Sequence, residues 1–563
     1  MVNGELSRTG IDGLSGPALS GIGGTPMPLR AAELLRRTGA AVGFALALLL
    51  ITASPIFAQA KKDAGKPKPA EKANPNGTMY LPDLKAEAAH YRVVTIPLPD
   101  DVVLECGAIE CGPGDAVYVG TRRGDVYRVN NAYADPPTGV TFTKFATGLH
   151  EVLGLAYNLR DKALYACTRQ EITKLTDRDG DGVADAYDTY CDGWAISGDY
   201  HEYGLMSPFD REGNLYVALC LTGSFTSKVP WRGWCVKVTP DGVMHPFASG
   251  VRSPGGVGFD AAGRLFFTDN QGPWNGTSAL KLLQQGSFQG NPTGNPWYDL
   301  PLAKAEMGPR PKDPQTNSRI WVEAEKIPEF VPPPVWLPHV RTGQSASGIA
   351  ADASGGKFGP FAGQLFVGDQ HHSNVMRCAL ETVEGRVQGV AFPFKYGFGS
   401  GIVPMRQAPD GSIWVGGTNR GWGSVGPKQY ALERLVYTGK PPFEMQDMKA
   451  KPDGFEVTFT EPADPKAAGD VKSYALSTYS YLYRSDYGSP EVDESAPTVT
   501  KATVAADGKS VRLTVDGLKV GSVHELHADG VTAAGGTGAA AAGAKLVHPV
   551  AYYTLWAVPK TDR

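Results

Sequence analysis

One short unit returns six times along the chain: a turn carrying Asp or Gly, an alternating β run, then a further strand. It begins at Gly114 (GDAVYVGTRRGDVYRV), Asp161 (DKALYACTRQEITKL), Arg211 (REGNLYVALC), Ala261 (AAGRLFFTDN), Phe361 (FAGQLFVGDQHHSNVMRCAL) and Pro409 (PDGSIWVGGTN). A unit this small cannot bury its apolar face alone, and a spacing of roughly 50 residues with several strands per unit is the signature of propeller blades. Six blades follow, or seven if the double-length gap between Ala261 and Phe361 hides one. That gap holds GPWNGTSALKLLQQGSFQGNPTGNPWYDL and a Pro-rich stretch, poor strand chemistry that reads better as a long functional loop. The 69 Gly, 44 Pro, 23 Tyr, 21 Phe and 10 Trp suit many short strands joined by turns and argue against long helices.

Past Lys440 the pattern changes. FEVTFTEP, SYALSTYSYLY, TVTKATVAADGKSVRLTVDGL, GSVHELHADGV and VAYYTLWAVP alternate with turn residues. They predict a small antiparallel β-sandwich of immunoglobulin or fibronectin type over 441–563, without catalytic spacing and suited to docking or packing. The expected fold is therefore all-β, a six-bladed β-propeller over 80–440 followed by that sandwich.

The first 60 residues read as a targeting segment. Arg36-Arg37 leads into an apolar run from Ala40 to Ile51, then Pro55 and Ala58-Gln59-Ala60, the order of a secretory signal peptide with cleavage after Ala60. Met27 would open a more ordinary signal of the same kind. The run falls short of the ~18–20 apolar residues that cross a bilayer, so no stable span is expected after cleavage. Residues 61–79, rich in Lys, Pro and Ala, form a solvated tether, and the mature protein is expected to be periplasmic or secreted. With 54 basic against 58 acidic side chains the net charge is -4, which gives nucleic acid or an anionic membrane no strong field to answer. All seven cysteines follow Tyr80, where export permits disulfides. Cys220 with Cys235 is the most specific pair, then Cys106 with Cys111 and Cys167 with Cys191, leaving Cys378; buried reduced thiols are the alternative.

Two constellations carry chemistry. DRDGDGVADAYD offers oxygens from Asp177, Asp179, Asp181, Asp185 and Asp188 at calcium-loop positions, with Gly182 at the sharp turn and Val183 placed to offer its carbonyl. The ion would be structural. Separately, His201-Glu202-Tyr203-Gly204 and Arg252-Ser253-Pro254-Gly255-Gly256 precede successive blade strands, and Gly272-Pro273 follows the second of these. Loops on one propeller rim converge, so an imidazole could take a hydroxyl proton while an arginine holds an anion. His339, Arg341, His371, His372, Arg406, Asn419 and Arg420 could line the same rim.

The order His-x-x-Gly, Arg-x-Pro-x-Gly, Gly-Pro with G-x-x-x-G-x-P, then Ser345-Ala346-Ser347-Gly348 and Pro409-Asp410-Gly411 resembles the glucose/sorbosone dehydrogenase family, in its exported branch labelled membrane-bound dehydrogenase. The resemblance spans about Pro97 to Lys440 and implies a six-bladed propeller that oxidises sugars with pyrroloquinoline quinone and calcium. It implies His201 as general base, Arg252 as the cofactor-facing arginine, and Gly272 and Pro273 as carbonyl donors to catalytic calcium, with Arg406 and His339 as further cofactor contacts. The acidic pair that follows Gly-Pro in that family stands here as Ser278-Ala279. The expected function is an exported oxidoreductase on a sugar or related alcohol that passes electrons to a separate cytochrome or quinone, since no Cys-x-x-Cys-His is present for a haem. A non-catalytic propeller binding carbohydrate or protein, and a metal-dependent lactonase, are the alternatives.

Overall fold

The computed structural model describes residues 78–535 and 540–562; the targeting segment and most of the tether lie outside them. No helix among the described residues is long and apolar enough to cross a membrane.

Each repeated sequence unit forms the second strand of a sheet: Val117–Thr121, Ala163–Cys167, Leu215–Leu219, Leu265–Asp269, Leu365–Asp369 and Ile413–Thr418. These strands lie between neighbouring sheets and are buried on both faces, which is why ALYAC, LFFTD and LFVGD read as continuous apolar runs. The turn before them has a fixed chemistry. Asp210, Asp260 and Asp410 each accept hydrogen bonds from backbone amides two to four residues on, and Gly213, Gly263 and Gly411 follow at positive φ.

The first strands are Cys106–Cys111, Gly154–Asn158, Gly204–Met206, Pro254–Phe259, Ala346–Ala351 and Ile402–Gln407. Each touches the next, and the last touches the first. That closed ring of six sheets is a six-bladed propeller around a central channel. The sixth blade takes its outer strand from the other end of the domain: Tyr91–Thr95 pairs antiparallel with Tyr430–Tyr437, in register from Tyr91 opposite Tyr437 to Thr95 opposite Glu433. The double-length gap holds no seventh blade. It carries a short strand, Ser287–Phe288, beside the third blade, two short helices, Pro301–Glu306 and Ile320–Lys326, and Val335–Leu337, the fourth strand of blade four.

The C-terminal sandwich has one free-standing sheet, Met445–Lys451, Gly454–Phe459, Ser510–Asp516 and Thr498–Val504. Its second layer continues blade five: Val550–Leu555 pairs with the outer strand Arg386–Lys395, and Ser522–His527, Ala475–Tyr481 and Glu491–Ser495 follow. Val390 and Phe392 of the blade share one core with Phe455, Leu513 and Tyr553 of the sandwich. The expected docking module is grafted onto the propeller by a common sheet.

The expected disulfides do not form; all seven thiols are free. Cys235 lies opposite Ala218, so Cys220 sits further along the strand, its thiol directed at Ser224 Oγ and the Arg252 carbonyl. Cys106 and Cys111 occupy the two ends of one strand, about 16 Å apart at 3.3 Å per residue. Cys167 and Cys191 are separated by the strand Ile172–Thr176, whose Ile172 pairs with both.

A buried ion network ties the N-terminal helix Leu84–His90 to blade five and the sandwich. Glu87 accepts from Lys395 Nζ at 3.0 Å and from His548 Nε2 at 3.1 Å, while His548 Nδ1 donates to Glu444 at 2.5 Å. Burial alone would push the His548 pKa down, but Glu444 and Glu87 more than offset it and hold it at about 9. The folded value lies above the ~6.5 of an exposed histidine, so this contribution is whole below about pH 6.5 and is lost as pH rises through about 9. His548→Gln leaves two buried carboxylates facing each other and should cost about 3–5 kcal/mol in urea unfolding at pH 7. The gap between variant and wild type should narrow at high pH; a gap that stays constant to pH 10 would show that the network's charge contributes nothing.

Candidate functional site

All six inner strands run in the same sense along the channel. The loops that enter them, together with the loops joining second to third strands, therefore gather on one rim, and every strand's far end points to the opposite mouth. The inner strands approach too closely for side chains at Gly255 and Gly256, where a Cβ would lie 2.0 Å from the Ala346 carbonyl and 2.7 Å from Gly348. Above this waist the rim opens into a cavity of about 360 Å³.

Arg252 and His201 both line that cavity. Arg252 enters from the turn before blade four and is 3% exposed. Its Nη1 donates to the carbonyls of Gln271 at 2.7 Å and Asn270 at 3.3 Å, and its guanidinium makes no ion pair among the described residues. Its Nε is buried without a partner. Phe225 and Tyr487 lie side by side over the cation, their ring centres 5.6 and 5.2 Å from Cζ and 6.1 Å from each other. A buried cation with only neutral partners is costly, and an anionic ligand relieves that cost.

His201 enters from the turn before blade three, half-buried, with its ring 4.0 Å from that of Tyr200 and 5.5 Å from that of Tyr203. Burial leads in lowering its pKa below the ordinary value; Asp199 opposes this and the cations Arg122 and Arg252 add to it. The imidazole is thus neutral at pH 7 and able to accept a proton.

Several lining residues had no signal in the motifs. Arg122 donates to Glu151 at 3.2 Å and to the Tyr203 hydroxyl at 2.7 Å, and Arg420 to Glu105 at 2.9 Å, so these two cations are already compensated. Arg420 alone of them belongs to the expected rim set. Phe225, Trp422 and Tyr487 line the cavity with 55%, 49% and 53% of their surface exposed. Tyr487 comes from the C-terminal sandwich, which sequence spacing gave no reason to place at the site.

Other expected residues go elsewhere. Arg406 lies near the far end of its inner strand, at the opposite mouth, paired with buried Glu110 at 2.8 Å. Three residues of strand, about 10 Å, separate it from Val403, which does reach the rim cavity. His339 sits outside the cavity lining, its pKa pushed down to about 4 by burial and by His372 and His371. Arg341 is held by Glu491 and Glu525 of the sandwich, and His371 Nδ1 meets the Gly423 carbonyl. Gly272 and Pro273 are beside Arg252, but their carbonyls are committed: Gly272 accepts from Asn275 at 2.9 Å and Gly488 at 3.1 Å, and Pro273 from Asn291 Nδ2 at 3.0 Å.

The acidic loop lies between Ile172–Thr176 and Ala186–Cys191, away from the rim. Asp177, Asp179 and Asp185 each bring one carboxylate oxygen within 4.8 Å of the others, the only such grouping among the described residues. Asp181 turns to accept from the Val183 amide, and Asp188 belongs to the ladder opposite Lys174, so the expected set of Asp181, Val183 and Asp188 does not converge with the three. This happens because the loop closes into a β-hairpin, whereas a calcium loop followed by a helix would bring its twelfth position round. If the three carboxylates hold a hard cation, chelator should lower the melting temperature of the wild type and leave Asp177→Asn/Asp179→Asn unmoved. Equal melting of the wild type with and without chelator would rule the ion out.

No protein-family description matches the chain, and no curated protein matches it. Solved structures do. An oxidoreductase (glucose dehydrogenase) of Thermus thermophilus is 20% identical, with a TM-score of 0.45, covering 62% of this chain and 100% of that one. A PQQ-bound aldose sugar dehydrogenase of Streptomyces coelicolor is 17% identical, with a TM-score of 0.42, covering 63% and 99%. The PQQ domain of a Coprinopsis cinerea pyranose dehydrogenase is 12% identical, with a TM-score of 0.42, covering 62% and 95%. The six-bladed assignment itself rests on the strand order of the sheets and on the closed ring of contacts among their first strands.

Proposed function

We propose that this protein is an exported oxidoreductase that oxidises a hydroxyl of a sugar or related alcohol with a carboxylated quinone, pyrroloquinoline quinone, as its cofactor. The observation that carries the reading is the pairing, in one cavity, of a neutral histidine with a buried arginine that has no carboxylate partner. The quinone fits that arginine: Arg252, which has no carboxylate partner among the described residues, would hold one of its carboxylates. Calcium at Gly272 and Pro273 does not fit, because those carbonyls already accept from Asn275, Gly488 and Asn291 and the Arg252 cation lies beside them. When bound, the quinone would supply the two-electron acceptor, to be reoxidised by a separate carrier.

The remaining chemistry belongs to the chain. An imidazole nitrogen of His201 accepts the proton of the substrate hydroxyl, and the Tyr200 ring, tilted against it, and the Tyr203 ring, edge-on to it, limit the imidazole's movement. Phe225, Trp422 and Tyr487 offer flat apolar faces to a pyranose ring and shield the reacting hydroxyl from bulk water. The same exposed aromatics favour a second reading, a carbohydrate-binding propeller without turnover. The lactonase alternative requires a channel metal, and no group of three ligating side chains converges at the rim among the described residues.

Titrating pyrroloquinoline quinone into the purified protein and following dye reduction with sugars tests the proposal. His201→Ala should keep quinone affinity and lose about 10²–10⁴-fold in kcat. Because the neutral imidazole is the active form and its pKa is lowered, wild-type kcat/KM should fall only as pH drops below about 6.5. Absence of quinone binding at tens of micromolar would leave the binding reading. Export is checked by N-terminal sequencing of the mature protein, expected to start near Lys61.

A further inference from the structure

The turn 270–276 carries four successive carbonyls, and each already has a donor. Asn270 and Gln271 accept from Arg252 Nη1, Gly272 from Asn275 and Gly488, and Pro273 from Asn291. The guanidinium packs flat on the chain: a Cβ at Gly272 would lie 2.0 Å from Arg252 Cζ. The nearest carboxylate on this turn's strand, Asp269, is also spent. It takes the amides of Arg252 and Ser253 and the Lys281 ammonium at 3.0 Å, and Lys281 additionally bonds Asn275 Oδ1 at 2.7 Å. Two fixed cations therefore flank the carbonyls, and no free anionic oxygen faces them.

The C-terminal module supplies the other half of this arrangement. Gly488 donates to the Gly272 carbonyl, Tyr487 bridges to Pro273, the Trp274 amide donates to the Arg484 carbonyl at 2.7 Å, and the Ser489 amide to the Gly276 carbonyl. Gly488 has φ of +63°, which favours glycine, and a Cβ there would press on the Gln271 side chain at 2.8 Å.

We propose that the rim cavity is a metal-free site: the Gly488 amide of the 484–489 loop and the Asn291 side chain occupy the Gly272 and Pro273 carbonyls that would otherwise ligate a divalent cation, and the Arg252 guanidinium, bonded to the adjoining Asn270 and Gln271 carbonyls, sets a positive charge beside them. A hard cation takes six to eight oxygens, carboxylates among them, and a guanidinium in contact repels it. Positive charge for an anionic ligand is then built into the fold, and the sandwich is a working wall of the site. The inference stands whether or not a quinone binds.

The test counts calcium on the full chain by equilibrium dialysis. Wild type should hold at most one tight equivalent, at the acidic loop, and Asp177→Asn/Asp179→Asn none. Two equivalents on the wild type, or one surviving in the double variant, overturn the proposal. A second measurement follows pyrroloquinoline quinone by tryptophan quenching, with excess calcium and with excess chelator. Affinities equal within about twofold support the metal-free site, and tightening by calcium of about tenfold or more overturns it. If no quinone binds in either buffer, the proposed function falls and the calcium count alone decides this inference.

Discussion

Six parallel inner strands enclose a channel only when the first and last blades meet, and here the meeting is made by one strand pairing. Tyr91–Thr95 must reach Tyr430–Tyr437 for blade six to be complete, and Thr95 Oγ1 donates to Glu433 across that seam. The helix just before the seam is anchored by Glu87 to Lys395 and His548, so the closing strand is fixed from blade five and from the sandwich at once. Rim loops converge on a cavity of definite size because this ring does not open.

The electrostatics of the rim follow from how each cation is paired. Arg122 and Arg420 answer Glu151 and Glu105, and Lys281 answers Asp269, all within hydrogen-bonded geometry. Arg252 answers only backbone carbonyls. One side chain among four thus keeps a net charge for a ligand, and His201, made neutral by burial and by its cationic neighbours, faces it across the cavity.

The blades were legible because their second strands are short, almost wholly buried and, in three of them, preceded by an Asp/Gly turn of the same chemistry, local signals that agree. Ring closure by residues 91–95 was not, since YRVVT carries no mark of a partner so far along the chain. The placement of His201 and Arg252 on one rim came from their position before inner strands, which a period makes visible. Arg406 shows the limit of that reasoning: two or three residues of drift along an inner strand carry a side chain from one mouth to the other. Tyr487 shows another limit. Nothing in RSDYGSP distinguishes a site loop from an ordinary turn, because its role depends on a sheet shared between two modules. The acidic loop was recognisable by composition, yet the ladder beyond it, and not the spacing, decides which carboxylates converge.

The sheet that runs from blade five into the sandwich also shapes the order in which this chain can fold. Gln388 meets the Tyr553 hydroxyl 165 positions later, and Thr95 meets Glu433 338 positions later. Contacts of such range are entropically late, so their closure is slow. Until Val550–Leu555 docks, the strand Arg386–Lys395 presents an unpaired edge with a largely buried, apolar pattern. Such an edge is a template for pairing with another chain. A partly folded chain is therefore exposed to aggregation along this edge of blade five, and the docking of Val550–Leu555 is what ends that exposure.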